Sequence, residues 1–545
     1  MNIIAYTIDR ELGIFNSNGE SCRQPSYLDF LLKDYGQDTI KCFSNIDFDV
    51  ANLLALTLDP DEMKQLSKNE KLYVAPYNLT YFPNKFFSIS YGFTKGRPYS
   101  PFCDISQYDD RLDKVTDEHT PELCFAKANL TKEVAQSVYN ALVKLNCEPK
   151  SLISPANVFA ESHINKLDLP DVNDVPDGAL QLAKKCAKGN WLEAYKRGYF
   201  EQVFDYDLSS AYASFAANLL DIRRGKWIQS NEYQTEAVYG YCNAEVSLDC
   251  NFSPILYKAI FDKEYRDEMT YTPNKVFETE LNKSKLDLIT KYDLGFYTLT
   301  DGWWWIPDKN KTQYTPLKGL VNWTYDKKQS AQGMDRKIDK RVMAGVFYGI
   351  FLQMRGNGLG EHFLSPYGAE IENACQYKVF ETIMNNHLEN YLLHVAVDGF
   401  IATKSMPTPT PDKIGEWRLS YQGKAIVCGS GLVAVEGKVG EGDFSVSYDW
   451  LYKQIQDNHQ STSYTMSKKT ILTLGKAMNE NRLTELGKVI TVERIVDCLS
   501  ENKRDYARTP NCGGDLLKHH YNSQPFTAGM INLLTGNNQE DDDGI

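Results

Sequence analysis

Three segments of this 545-residue chain space carboxylates, cations and small residues in ways that could serve phosphate chemistry. In residues 203–215 (VFDYDLSSAYASF), alternation puts Phe204, Tyr206 and Leu208 on one face of a strand and Asp205 and Asp207 on the other. A carboxylate at a strand end, followed by a small-residue turn, can hold a divalent metal while backbone N–H groups cradle phosphates. In residues 392–404 (LLHVAVDGFIATK), two apolar strands flank Asp398-Gly399, a favoured tight turn that would present one carboxylate rigidly. In residues 335–354, Lys337, Arg341, Gly345 and Tyr348 recur every three to four positions, which predicts one helix face, cationic first and aromatic after. Taken singly, each has a plainer reading: a half-buried strand with solvated acids, an ordinary turn, a core helix with a basic start.

The elements that must position these residues belong to a chain too long for one core and suited to two to four domains. Hydrophobic residues make up 42% and charged residues 24%, which excludes wholesale disorder. The longest apolar run, residues 343–352, is short and contains glycine, so no membrane span is expected; the N-terminus lacks a signal pattern, and a cytoplasmic protein is expected. Twelve cysteines without a C-x-x-C pair fit reduced thiols rather than a zinc site. A strand is predicted over 2–8, an amphipathic helix over 132–145, a loop or linker over 168–178, irregular α+β alternation from about 190 to 440, and mainly helix over 445–535.

Together and in this order, the three segments resemble the motifs of the family B DNA polymerases. Residues 207–214 (DLSSAYAS) are similar to motif A, D-x-x-S-L-Y-P-S; residues 341–349 resemble motif B, K-x-x-x-N-S-x-Y-G; residues 395–399 (VAVDG) resemble motif C, Y-x-D-T-D-S, with Asp398 on its second aspartate. Tyr195-Lys196-Arg197-Gly198 looks like the Y-x-G-G linker of the protein-primed branch. The block from Glu278 through Asp301-Gly302-Trp303 looks like the strand-rich palm of its phage and linear-plasmid members, and Asn522-Ser523-Gln524-Pro525 looks like their closing S-x-P element.

The resemblance implies an α+β, right-hand polymerase with an N-terminal RNase H-like (DnaQ-type) exonuclease-like domain. The implied division is 1–165 exonuclease-like, 166–190 linker, 191–310 first palm part, 311–355 fingers, 356–445 second palm part, and 446–545 thumb and acidic tail. Asp9 and Glu11 match the D-x-E of exonuclease motif I, and residues 45–49 (NIDFD) fit motif II with Asp49 at its end. The third motif, Y-x-x-x-D, has no match; Asn129 and Glu133 stand in its registers. Either a 3′–5′ proofreading site or an exonuclease fold kept as a DNA-binding platform follows.

Carried over residue by residue, Asp207, Asp398 and the Leu208 backbone would hold two Mg²⁺ or Mn²⁺ ions. Ser209, Ser210, Ala211 and Tyr212 would contact the incoming nucleotide, Tyr212 excluding a 2′-hydroxyl, while Lys337 and Arg341 would neutralise its phosphates. Tyr348 would pack on the nascent pair, and Tyr195, Gly198, Gly349 and Lys438 would touch DNA. The implied partners are primed template DNA and dNTPs, with a terminal protein or processivity factor as a further class, in a polymerase of a virus or mobile element. The sequence departs from the pattern at Ala396 (first motif C aspartate), Arg341 (lysine), Gly345 (asparagine) and Ala213 (proline), and the thumb-side K-x-Y has only Lys438-Val439-Gly440 as a counterpart. Only 53 residues part Gly345 from Asp398, little room for a processivity insertion. A primer-independent, primase-like enzyme of the same fold and a catalytically weakened replication scaffold are the competing readings.

Bulk charge opposes a nucleic-acid partner: 59 Lys+Arg stand against 72 Asp+Glu, a net of -13. Residues 1–150 hold 16 Lys+Arg against 21 Asp+Glu, and Glu540 to Asp543 add four more acids. Cations then cluster beside the motifs: Lys184, Lys185, Lys188, Lys196 and Arg197 before motif A, Arg223, Arg224 and Lys226 after it, and Lys468, Lys469, Arg504 and Arg508 further on. A local basic groove on an acidic body is expected.

Overall fold

Seven of the eight residues of the first strand are buried, as a strand covered on both faces requires. The computed structural model describes residues 2–535 apart from 24–25, 34–35, 37, 84–85, 93–98, 116–117, 263–266, 356–357, 409–412, 438–445, 460, 500–502 and 507–514. Two compact units divide the chain. Unit 1 combines Met1–Lys166, Asp326–Val342 and Ser467–Arg494; unit 2 combines Leu167–Tyr325, Met343–Met466 and Ile495–Ile545.

In unit 1, strands β1 (Asn2–Asp9), β2 (Gly13–Asn16), β3 (Ser21–Cys22), β4 (Thr39–Phe43), β5 (Lys71–Val74), β6 (Tyr77–Phe82), β7 (Phe86–Tyr91) and β8 (Tyr99–Asp104) form one sheet. Its order is β3-β2-β1-β4-β8-β7-β6-β5. The β1–β2 pair is antiparallel, while β4 runs parallel to both β1 and β8. An antiparallel meander continued by parallel strands is the RNase H-like arrangement expected here. Helices Ile46–Thr57 and Pro121–Lys144 pack on β1. The second begins well before the predicted Lys132, because Thr120 caps it at Leu123 N and Pro121 opens it. Its early turns bury Cys124, Ala128 and Thr131, small or polar residues that an apolar periodicity underweights.

Unit 2 holds β9 (Leu192–Ala194), β10 (Lys196–Leu208), β11 (Gly225–Gln229), β12 (Tyr239–Leu248), the ribbon β13 (Tyr257–Asp262) with β14 (Asp267–Tyr271), β15 (Lys275–Asn282) and β16 (Gly295–Pro307). The ribbon β17 (Met354–Arg355) with β18 (Gly358–Leu359) follows, then β19 (Leu392–Ala396), β20 (Gly399–Ala402), β21 (Trp417–Gly429) and β22 (Leu432–Val435). One sheet runs β22-β21-β10-β20-β19-β9, with the short strand Tyr521–Asn522 pairing the start of β10; another runs β11-β16-β12-β15. Tyr206, Leu208, Trp304, Phe380 and Val395 share one core between them. This is the α+β alternation expected from the sequence.

Three expectations are corrected. The hairpin turn is Val397-Asp398 rather than Asp398-Gly399: Ala396 pairs Gly399, which already belongs to β20. Residues 445–535 are not mainly helical: strands Ser463–Ile471 and Val489–Asp497 pair, and their β-branched content suits a half-buried ribbon better than a helix. Residues 166–190 are more than a linker. They contain the helix Asp177–Cys186, where a Cβ on Gly178 would come within 2.5 Å of the Trp303 indole nitrogen.

Candidate active site

The paired-carboxylate site rests on the middle of a sheet. β10 lies between β20 and β21, so the alternation read from the sequence buries Tyr206 and Leu208 in the core and turns Asp207 outward. Register sets one row across four strands: Ala396 opposite Gly399, Gly399 opposite Asp207, Asp207 opposite Arg418. Gly399 is forced by crowding, since a Cβ there would meet the Tyr206 carbonyl oxygen at 2.6 Å. This row, with Asp205 and His394, lines an open cleft of about 410 Å³.

Asp398 stands at the tip of the β19–β20 hairpin. The preceding Val397 has φ of 58°, an αL conformation that a β-branched residue rarely adopts and that costs on the order of 1–3 kcal/mol. Tertiary contacts hold it there: Val397 N donates to Trp191 O at 2.9 Å, and Leu208 N donates to Asp398 O at 3.0 Å. The second bond ties the end of β10 to the tip. Burial, and then the negative charge of Asp207, push the Asp398 carboxyl up to about 6. Asp207 is balanced from the other side, where Nε and Nη2 of Arg418 both donate to Oδ2, Nε at 3.0 Å. Arg418 carried no signal in the sequence; only the strand register brings it to Asp207.

After β10 the backbone turns sharply. Ser209 N donates to Glu416 O at 3.0 Å, and Ser210 adopts φ of 51° before the helix Ala211–Ala216. Ala211 is buried, while Tyr212 stacks on Tyr348 with ring centroids 4.4 Å apart. Tyr348 lies in a π turn, Gly345–Gly349, that interrupts the predicted helix after Gly333–Ala344. A Cβ on Gly349 would meet nothing within 4 Å.

The single face predicted for Lys337, Arg341, Gly345 and Tyr348 divides at that turn. Lys337 Nζ donates to Tyr108 O at 3.0 Å, and Arg341 Nη2 donates to Gln107 O at 2.6 Å, both within unit 1. Tyr348 turns instead to Glu372 in unit 2.

Two of the residues expected to face DNA sit at packed positions. Tyr195 is buried, its ring under Arg504 at 4.5 Å and its hydroxyl donating to Glu193 Oε2, because β9 and β10 fold it inward. Gly198 is a close approach, a Cβ there falling 2.7 Å from His519 O. Lys438 lies outside the described residues, as does Arg508. The basic groove also thins. Lys188, Arg197 and Arg504 are buried, Lys188 on Glu280 and Arg504 on Glu193, whereas Lys184, Lys185 and Lys226 are exposed.

Of the four exonuclease candidates, unit 1 brings two together. Asp9 and Asp49 line a cavity of about 100 Å³ with Asn52, Glu118, His119 and Lys127, while Glu11 and Glu133 are exposed and line none of it. Asp9 Oδ1 accepts from Glu11 N and Leu12 N at 2.8 and 2.9 Å, and its Oδ2 lies 2.6 Å from His119 Nδ1. Asp49 accepts from Ile8 N and Asn45 N, and burial pushes its carboxyl up to about 6. Among the described residues no group of three or more His, Cys, Asp or Glu is placed to share a metal. Glu118 lines the same cavity but, among the described residues, is not placed to share a metal with Asp9 and Asp49; with Asp9 also held by His119, 3′–5′ cleavage is expected to be feeble. Degradation of a 3′-labelled single strand should stay within about tenfold of an Asp9→Ala/Asp49→Ala variant, against the several kcal/mol that a complete metal site supplies. A much larger drop on substitution would refute this.

No family model matches the chain, and no curated protein does. Solved structures do. Phi29 DNA polymerase in its orthorhombic crystal form superposes with a TM-score of 0.62 at 13% identity, over 91% of this chain and 99% of that one. Its binary complex with primer-template DNA gives 0.59 at 14% identity, and its ternary complex with incoming nucleotide substrates 0.58 at 13%, with the same coverage. The chain has the fold of Phi29 DNA polymerase. The likeness to the family B polymerases carried by the motifs therefore extends to the whole fold, an exonuclease-like domain followed by palm, fingers and thumb. No helix among the described residues is long and apolar enough to cross a membrane.

Proposed function

We propose that the chain is a template-directed DNA polymerase that adds dNTPs to a primer 3′-OH or to a priming-protein hydroxyl. One observation carries the reading: Asp207 at the end of β10 and Asp398 at the hairpin tip are tied by the Leu208–Asp398 backbone bond beside the Tyr212–Tyr348 stack. In the reaction, the hydroxyl oxygen attacks the α-phosphate, its proton leaves, and the bond to pyrophosphate breaks.

The donor set fits hard divalent cations, since it consists of two carboxylates and a backbone carbonyl; Asp398 is raised first by burial and then by Asp207, and a cation would relieve the second. Mg²⁺ or Mn²⁺ on Asp207, Asp398 and the Leu208 carbonyl would supply Lewis acidity at the reacting oxygens. Because Ala396 offers no carboxylate at the first motif C position, the proposed metal set has two carboxylate side chains, Asp207 and Asp398. Arg418 holds Asp207 in place and offsets its charge. Tyr212 supplies the floor under the sugar, with Ser210 and Ala211 at the turn below the triphosphate.

The net charge of -13, with Lys188, Arg197 and Arg504 buried, implies a weak hold on DNA. Raising KCl from about 50 to about 200 mM should cut binding to a primed duplex at least about tenfold, read by gel shift, since each neutralised phosphate adds to the salt slope. A flat response would contradict it. Primed and unprimed circles with labelled nucleotides test the reading itself: incorporation is expected on the primed circle, and incorporation without any primer would favour a primase-like enzyme.

A further inference from the structure

The Tyr212–Tyr348 stack is held from behind by polar groups that the sequence did not single out. Glu372, on the helix Ser365–Asn385, is 2% exposed. Its Oε2 accepts from the Tyr348 hydroxyl at 2.8 Å and its Oε1 from Gly189 N at 2.8 Å. The next residue, Asn190, accepts from the Tyr212 hydroxyl at 3.2 Å. Both tyrosines are therefore tied, one through Glu372 and one through Asn190, to the same short segment before β9.

Below this, Gln376 Nε2 donates to Gly189 O at 2.9 Å, and the buried Lys285 Nζ donates to Gln376 Oε1 at 2.6 Å and Pro254 O at 2.9 Å. The segment is thus fixed from two sides. Burying a carboxylate here is costly, and burial pushes the Glu372 carboxyl up to about 7. Its two hydrogen bonds offset part of that cost, and an apolar side chain there would leave the Tyr348 hydroxyl and Gly189 N without an acceptor. What Glu372 provides is an acceptor for a hydroxyl presented from a π turn, a widened piece of helix of the kind that recurs at functional sites.

We propose that Glu372 and Asn190 are positioning residues that lock the Tyr212–Tyr348 pair, and so set the affinity for the incoming deoxynucleotide and the rejection of its 2′-hydroxylated analogue. This rests on the polymerase reading above. Neither residue touches the reacting atoms; they act through the two rings.

Single-nucleotide incorporation on a primed template, with dNTP and rNTP varied, tests it. Glu372→Ala should raise the dNTP KM about tenfold, the worth of one lost hydrogen bond, with kcat within about threefold. It should also narrow the dNTP preference over rNTP. Glu372→Gln, which keeps an acceptor, should recover most of the KM, and Asn190→Ala should shift the same two quantities in the same direction. The Glu372→Ala/Tyr348→Phe double variant should be no worse than the poorer single variant, as a shared contact requires. Should Glu372→Ala fail to fold, Tyr348→Phe must by itself give the KM shift. Unchanged KM and unchanged sugar preference in Glu372→Ala, or in Tyr348→Phe where the former does not fold, overturn the proposal if the unmodified chain extends primers. A chain that extends no primer overturns the polymerase reading instead.

Discussion

Alanine at Asp207 or Asp398 is expected to lower single-nucleotide incorporation by at least about a thousandfold, some 4 kcal/mol of transition-state stabilisation. The size follows from the shortage of carboxylates. Ala396 stands in the same cross-strand row as Asp207, with only Gly399 between them, so that row offers no second carboxylate beside Asp207. Folding should survive. Asp207 is partly exposed and loses an ion pair to Arg418 whose arginine side chain is 40% exposed, worth at most about 1 kcal/mol. Asp398 is held above the ordinary carboxylate range, so removing it relieves an unfavourable burial. Thermal melting beside the kinetics separates the two effects, and near-normal turnover in either variant would show that the chemistry lies elsewhere.

Tyr212→Val carries the second large effect. The Tyr212 ring is pinned by its stack on Tyr348 and its bond to Asn190, so it forms a fixed floor rather than a mobile side chain. Its removal should open room for a 2′-hydroxyl and raise the rNTP:dNTP ratio of kcat/KM by about 10², the scale on which steric pockets discriminate a single hydroxyl. Discrimination unchanged from the parent would mean that the sugar sits elsewhere.

The parts of this site legible in the sequence are those written in short-range pattern. The alternation around Asp207 reports a strand with one buried face, and the apolar pairs around Asp398 report a hairpin, because both depend on neighbours two residues away. The turn itself is one residue earlier, since Asp-Gly is the stronger local turn signal while the αL geometry of Val397 is held by its bond to Trp191, just before β9, and by the bond from Leu208 to Asp398. The π turn at Gly345–Gly349 follows a helical pattern that local periodicity continues straight through.

Arg418, His119 and Glu372 are placed by register and packing across long stretches of chain, and nothing beside them in the sequence marks them. The same limit applies to Lys188, Arg197 and Arg504. As letters they look like a phosphate-binding cluster, yet the fold turns each one inward.

Template-directed incorporation is the most direct test of the central claim. A primed duplex with each of the four template bases in turn, offered the four dNTPs separately with Mg²⁺ or Mn²⁺, should give extension by the complementary nucleotide alone. Extension should disappear in Asp207→Ala and Asp398→Ala. Extension indifferent to the template base, or equal in the parent and both variants, would contradict it.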